Sequence, residues 1–343
     1  MFIPTVYIHR VTAIAAIGCG ESAGVCDAMR TKFIYVLLFL GIEVVLYQLV
    51  YKLSWLVAPA PDREIVVRLR ARLGNHLFQL ASATGIAANH NTSMCYIMSY
   101  GASNYLQDLV PKTPFSECSM YTTLLYYTSR LYAHEEKGHC IFDMPRLHES
   151  TLSVGQYLQS YKYFENVDIA SMYVVRPEHV LMAKQTMHRA LPKRDKIQTV
   201  GIHIRRTDQI TAGFLNIPPP EYFSQTVEYF RRTISHVHFF VVSDDMEWCM
   251  QQDFFRHKAY ISLVHNSSVM ADFALLVACN HVIITVGTFG WWGAFLGPHL
   301  HGGEVLYYQS EFNMNHKLNI NTVVHRDYYP PSWKAILPVF SFK

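Results

Sequence analysis

Hydrophobic positions fall into two regimes along the chain. From residue 196 onward, short and nearly continuous apolar runs alternate with segments whose apolar residues recur every three or four positions. The runs at 199–204, 238–243, 260–264 and 281–286 have the pattern of strands buried on both faces. The periodic segments predict helices over 221–235 (after the stop at Pro218-Pro219-Pro220), 244–253 and 269–278, with another opening at 290–295. Strand–helix alternation of this kind specifies a doubly wound parallel sheet, whose ligands bind at the carboxyl ends of the strands. Before residue 196 the pattern is thinner. Residues 65–69 read as a strand, Arg72 to Asn75 as a tight turn, and 76–89 as a helix carrying Leu77, Leu80, Ala81, Thr84 and Ala88 on one stripe. Residues 100–195 mix polar and aromatic stretches with no dominant period. The polar segment 191–196 reads as a linker between two halves.

A different pattern lies further upstream. Residues 33–51 are almost all apolar and close to the roughly 20 needed to cross a bilayer, with Glu43 and Gln48 as the exceptions. Arg30 and Lys32 before the segment favour an amino end in the cytosol, a type II signal anchor with the rest of the chain in the lumen. A cleaved signal peptide and a buried core helix are the other readings. Met29 followed by Arg-Thr-Lys resembles the start of a short cytosolic tail, so residues 1–28 are expected to be an extension of the gene model. The organisation expected is a tail at 1–32, anchor at 33–51, stem at 52–64, a first domain at 65–195, a second at 196–330 and a tail at 331–343. The sequons at Asn91 and Asn266 would both face the lumen and carry glycans.

Composition narrows the function classes. Half the 343 residues are hydrophobic, ample for a core, and a net charge of +3 without a Lys/Arg block excludes a nucleic-acid-binding stripe. The 22 Tyr and 20 Phe suit sugar rings as well as cores. Seven Cys form no CxxC pair and no zinc-site spacing. In an oxidising lumen some would pair, Cys118 with Cys140 being one possibility.

Three strand-to-helix junctions carry candidate chemistry. His203-Ile-Arg205-Arg206-Thr-Asp208 ends a buried strand. Adjacent guanidiniums there match phosphate oxygens, or else form a structural Arg–Asp salt bridge. In Thr285-Val-Gly287-Thr288-Phe-Gly290, backbone amides and the Thr288 hydroxyl at a helix amino terminus would accept phosphate, although strand–Gly–helix turns are common in any α/β fold. Arg70-Ala-Arg72-Leu-Gly74-Asn75 could approach a ligand across a cleft, or be an ordinary N-cap turn. P-loop, GxGxxG and HExxH motifs are all missing. Ser243-Asp244-Asp245 is not a metal-holding Asp-x-Asp, since its carboxylates would point differently. The chain's own cations would therefore neutralise a leaving phosphate, with no metal and no cofactor.

These segments, with Phe240 to Cys249 and Asp272 to Trp292, resemble the α-1,2-fucosyltransferases in the family's order over roughly residues 65–310. The resemblance implies a GT-B-like α/β fold of two Rossmann-like domains facing a cleft. It also implies an inverting, metal-independent transfer of L-fucose from GDP-fucose to a galactose-terminated glycan. It places His203 at the guanine end, Arg205 and Arg206 at the pyrophosphate, Thr288 with Gly287 at the β-phosphate, and Arg72, Gly74 and Asn75 closing the site from the other half. Ala71 and His76 replace the Gly and Gln that the family usually has, and Thr207 a Gly that it often has. Asp208 is the first candidate for the base, weakened by its two arginine neighbours, and Asp272 a lesser one. The rivals are a fucosyltransferase of another linkage, a transferase using another nucleotide sugar, and a non-catalytic sugar-binding protein on the same scaffold.

Overall fold

The computed structural model of the protein describes residues 64–99, 108–110, 116–128, 131–134, 136–146, 152–192, 196–265, 268–317, 319 and 321–339. The expected anchor at 33–51, the tail before it and Asn266 lie outside them. Among the described residues no helix is long and apolar enough to cross a membrane.

Residues 61–343 form one compact unit. Its strands in chain order are β1 (Glu64–Leu69), β2 (Ser93–Met98), β3 (Leu109–Val110), β4 (Ser116–Glu117), β5 (Tyr132–Ala133), β6 (Leu152–Val154), β7 (Val174–Val175), β8 (Gln198–Ile204), β9 (Val237–Ser243), β10 (Ile261–Leu263), β11 (His281–Ile284), β12 (Val305–Tyr308) and β13 (Lys334–Ile336). They make two fully parallel sheets, β4-β2-β1-β6-β5 and β10-β9-β8-β11-β12-β13, and β3 pairs with β7 antiparallel. The architecture is therefore α/β with parallel sheets, as the alternation predicts.

In the second sheet the chain starts at the centre with β8, runs outward through β9 and β10, then returns to β11 on the other side of β8. The crossover between β8 and β11 is the topological switch point of a doubly wound sheet, where the loops diverge and leave a crevice at the strand ends. β8 is buried along nearly its whole length, which is why Thr199–Ile204 reads as a continuous apolar run.

The helices follow the predicted periods with shifted ends. The first spans Leu73–Asn89, absorbing part of the expected turn, and the helix after β9 begins at Met246 because Asp245 caps it by accepting the Trp248 amide at 3.1 Å. Helices Pro220–Thr233 and Val269–Ala278 lie where the periodicity puts them.

The two sheets share one core. Phe78 of helix Leu73–Asn89 meets Trp291 and Trp292 at ring-centroid distances of 4.5 and 5.1 Å, and Phe164 stacks on Trp292 at 5.5 Å. Both tryptophans are fully buried within helix Thr288–Ala294, which runs on into a π-helical turn at Phe295–His299. These aromatics fill the core rather than face a ligand.

The disulfide pairs Cys95 with Cys118, which corrects the expected Cys118–Cys140 pairing. Strand register is the reason: Cys95 lies opposite Ser116 across β2 and β4, so Cys118 follows beside it. Cys140 is instead buried and donates its thiol to Gln159 Oε1 at 3.6 Å. A cross-link closing a loop of this length is worth on the order of 3 kcal/mol.

Candidate active site at the switch point

The carboxyl end of β8 delivers Arg205 and Arg206 into the crevice, and the carboxyl end of β9 delivers Asp244 and Asp245 beside them. The Arg205 guanidinium pairs with Asp244 and Asp208. Its backbone N–H donates to Thr285 Oγ1 at 3.0 Å, tying it to the loop after β11. The Arg206 side chain donates to Asp245 at 3.2 Å and lies over the Trp248 ring, 4.1 Å from its centroid. Its amide donates to Asp244 at 2.8 Å. Both guanidiniums are about five-sixths buried, at 17% exposure. Phosphate oxygens and the structural salt bridge are thus not exclusive. Three carboxylates hold the fork geometry in place, and an incoming diphosphate would compete with them for the same N–H groups. Asp244 and Asp245 do point to different partners, as expected of Ser243-Asp244-Asp245.

Asp208 opens the short helix Thr207–Ala212 and accepts from Arg72 at 2.8 Å as well as from Arg205. Arg72 comes from the first half of the chain, so this pair bridges the two sheets; both side chains are substantially exposed. Asp208 is therefore held by two cations. Asp272, the lesser base candidate, is half-buried in the first turn of helix Val269–Ala278.

The β11 junction is built differently. Gly287 takes φ +85°, open to glycine and costly for other residues, and turns the chain into helix Thr288–Ala294. Opposite it, Gly74 sits so close that an added Cβ would lie 2.5 Å from Thr288 Oγ1 and 2.6 Å from the Thr288 carbonyl carbon. The first turns of the two helices, each carried by a different sheet, thus abut at Gly74 and Thr288. Asn75 is braced by Gln159, which donates to its Oδ1 at 2.6 Å. The predicted residues Arg72, Gly74, Asn75, Arg205, Arg206, Asp208, Gly287 and Thr288 converge here, from junctions far apart in sequence.

His203 lies underneath. It is 5% exposed, packs against Gly290 and the Phe289 ring, and its Nδ1 has no hydrogen-bond partner. Burial lowers its pKa to about 4, so it is neutral. His76, the residue standing where the family usually has Gln, is fully buried with both ring nitrogens unpartnered, and burial lowers it to about 4 as well. Ala71 adopts φ +69°, which explains why the family usually has Gly there. Asn91, the sequon inside the described residues, sits exposed in a turn at φ +51°.

Four participants were not singled out as site residues from the sequence. Asp244 and Asp245 appear there only as a non-metal pair. Gln159 lies in the stretch without a readable period. Glu311, just beyond β12, carries no motif at all, yet its Oε1 accepts the Gly287 N–H at 2.8 Å. The amide expected to meet phosphate is therefore already bonded to a buried carboxyl.

The chain is 36% identical over 114 residues to the galactoside 2-alpha-L-fucosyltransferase SEC1 of Bos taurus, a match covering 32% of this chain and 30% of that protein. Against the galactoside 2-alpha-L-fucosyltransferase of Caenorhabditis elegans it is 23% identical over 292 residues, 79% of each. The chain thus aligns with about a third of the length of the mammalian relatives and with most of the nematode one. Among solved structures, the fucosyltransferase NodZ from Bradyrhizobium superposes with a TM-score of 0.46 at 15% identity, covering 70% of this chain and 94% of that one. Arabidopsis thaliana FUT1 in complex with GDP gives 0.48 at 12% identity, covering 75% and 72%. The model of one family, glycosyl transferase family 11, runs through residues 34–333 and so takes in every strand of both sheets except β13 and every junction of the crevice; the chain belongs to that family.

Proposed function

We propose that the chain transfers L-fucose from GDP-fucose to a hydroxyl of a terminal galactoside, forming an α-1,2 linkage with inversion and without a metal. The observation that carries this reading is the convergence, at the switch point of the second sheet, of the Arg205–Arg206 pair with the Gly287–Thr288 turn and the Arg72–Asn75 turn of the first half. The names of the mammalian and nematode relatives support the sugar, the acceptor and the linkage. The GT-B-like reading follows: residues 65–195 and 196–330 serve as acceptor and donor halves on either side of the crevice, with the anchor at 33–51 holding them in the Golgi lumen as a type II protein.

In this reading the oxygen of the acceptor hydroxyl attacks the anomeric carbon of fucose and its proton is released to solvent, so that the products are the fucoside, GDP and one proton. The bond from that carbon to the β-phosphate oxygen breaks, and charge grows on GDP as the sugar gains oxocarbenium character. Arg205 and Arg206 take that charge, exchanging carboxylate partners for phosphate oxygens. Asp244 and Asp245 hold the two side chains in position beforehand, so little reorganisation accompanies the step. Asp208, clamped by Arg72 and Arg205, acts on the approach of the two halves rather than as the base.

The test is GDP release from GDP-fucose by the full chain in detergent micelles, with chelator present, over a panel of terminal galactosides. Turnover that survives chelator and disappears in Arg206→Ala supports the assignment. GDP-fucose binding without turnover on any acceptor favours the sugar-binding rival, and no binding overturns the donor.

A further inference from the structure

The neighbourhood of Gly287 contains a carboxyl group with no cation. Glu311 is 2% exposed. One oxygen accepts the Gly287 amide at 2.8 Å, and the other is hydrogen-bonded to the hydroxyl of Tyr329, which stacks on Tyr307 at 3.7 Å. Among the described residues no Lys, Arg or His pairs with it. His325 packs on the Tyr329 ring at 6.0 Å, with burial lowering its pKa. The other titratable groups that face Glu311 from the surrounding elements are Cys140, Tyr222, Tyr307 and Tyr328. Burial raises all four above their ordinary values, so they are neutral at physiological pH and offer Glu311 no counter-charge. Glu311 follows β12 and Gly287 follows β11, adjacent parallel strands, so the carboxyl lies at the same strand ends as the crevice.

An ionised carboxylate here would put an uncompensated negative charge one hydrogen bond from the turn assigned to phosphate. A neutral acid would hold the turn without repelling an anion. Resting on the proposed donor reading, we propose that Glu311 is a positioning residue that works in its protonated form: it fixes the Gly287 turn through the backbone amide and keeps negative charge away from the diphosphate of the donor. Burial, opposed only by the Gly287 hydrogen bond, raises its pKa to about 8, so the neutral form prevails at pH 7. Ionisation above pH 8 then opposes GDP binding, by up to about tenfold in Kd for each further pH unit, because the complex must take up the proton that the unliganded chain has lost.

The experiment measures GDP affinity of the full chain by calorimetry from pH 6.5 to 9.5, for wild type and Glu311→Gln. The amide side chain keeps an acceptor for Gly287 and cannot ionise. The expected result is equal affinity at pH 6.5 and a wild-type to variant Kd ratio that climbs about fivefold between pH 8 and 9, nearing tenfold per unit only above that. Taking the ratio cancels the titration of GDP itself. A ratio flat with pH overturns the proposal, as does loss of GDP binding by a folded Glu311→Gln at pH 6.5. If that variant does not fold, Tyr329→Phe replaces it: losing the hydroxyl moves the break in affinity along the pH axis, and an unmoved break overturns the proposal. The Gly287 amide resonance of the GDP-free chain separates this question from the donor assignment. It should shift through a transition near pH 8 whether or not GDP binds, whereas no GDP binding at any pH sinks the donor reading alone.

Discussion

The two junctions that meet in the crevice reach their shape by opposite means. After β8, the site is made of side chains: two guanidiniums, three carboxylates and one indole, arranged by charge and hydrogen bonds near the surface. After β11, it is made of backbone: a glycine turn packed against a second glycine-bearing turn, with a buried carboxyl beneath. The first corner can change partners at little steric cost, as a site that neutralises charge requires. The second has almost no room to move, as a site that fixes where two halves of a molecule meet requires. The difference assigns chemistry to the charged corner and alignment to the packed one.

The largest expected effect breaks the charged corner alone. Arg205→Ala and Arg206→Ala should each lower GDP-fucose turnover by about 10²–10³-fold, with the circular dichroism spectrum unchanged. An equally large fall in melting temperature and activity together would mean that the pair is structural. Next is the packed corner. Gly74→Ala places a Cβ against Thr288 backbone, which cannot swing aside, and should cost about 3 kcal/mol in urea unfolding. Its activity loss should track its unfolding, unlike that of the arginine variants.

Acid should separate the corners further. His76 and His203 are neutral in the fold with values near 4, against 6.5 unfolded. Their depressed values mean that the unfolded chain binds more protons between those limits, so stability is full above pH 6.5 and falls as pH drops toward 4. The loss at pH 5 should be about 2 kcal/mol for each histidine, read from urea midpoints at pH 7 and 5. His76→Gln should remove its share, and a variant as acid-sensitive as wild type would refute the assignment. The smallest effect sharpens the first-half turn: Ala71→Gly relieves a left-handed alanine and should raise stability by about 1 kcal/mol. No gain would mean that the turn carries no strain.

The same contrast governs what could be read from the sequence. Four of the six strands of the second sheet, β8 to β11, and the longer helices after residue 196 are legible because burial leaves continuous apolar runs and helix burial leaves a 3.6-residue period, both local consequences of the fold; the pattern does not place β12 and β13. The candidate cations, the Arg72–Asn75 turn and the glycine turn are legible as residue types at strand ends. Between 100 and 195 the strands are two or three residues long, too short to impose a period, so β3 to β7 could not be placed.

Contacts made across the molecule belong to the tertiary structure alone. The exchange of Cys140 for Cys95 as partner of Cys118 depends on the register of two parallel strands, which no spacing encodes. So do the bracing of Asn75 by Gln159, the capture of the arginines by Asp244 and Asp245, and the bonding of the Gly287 amide by Glu311. The sequence determined which chemistry is available and at which strand ends it emerges, because those follow from local burial and residue type. Only the packing of one sheet's loops against the other's decided which of those groups face one another and what charge each carries, because desolvation and pairing are properties of neighbours distant in the chain.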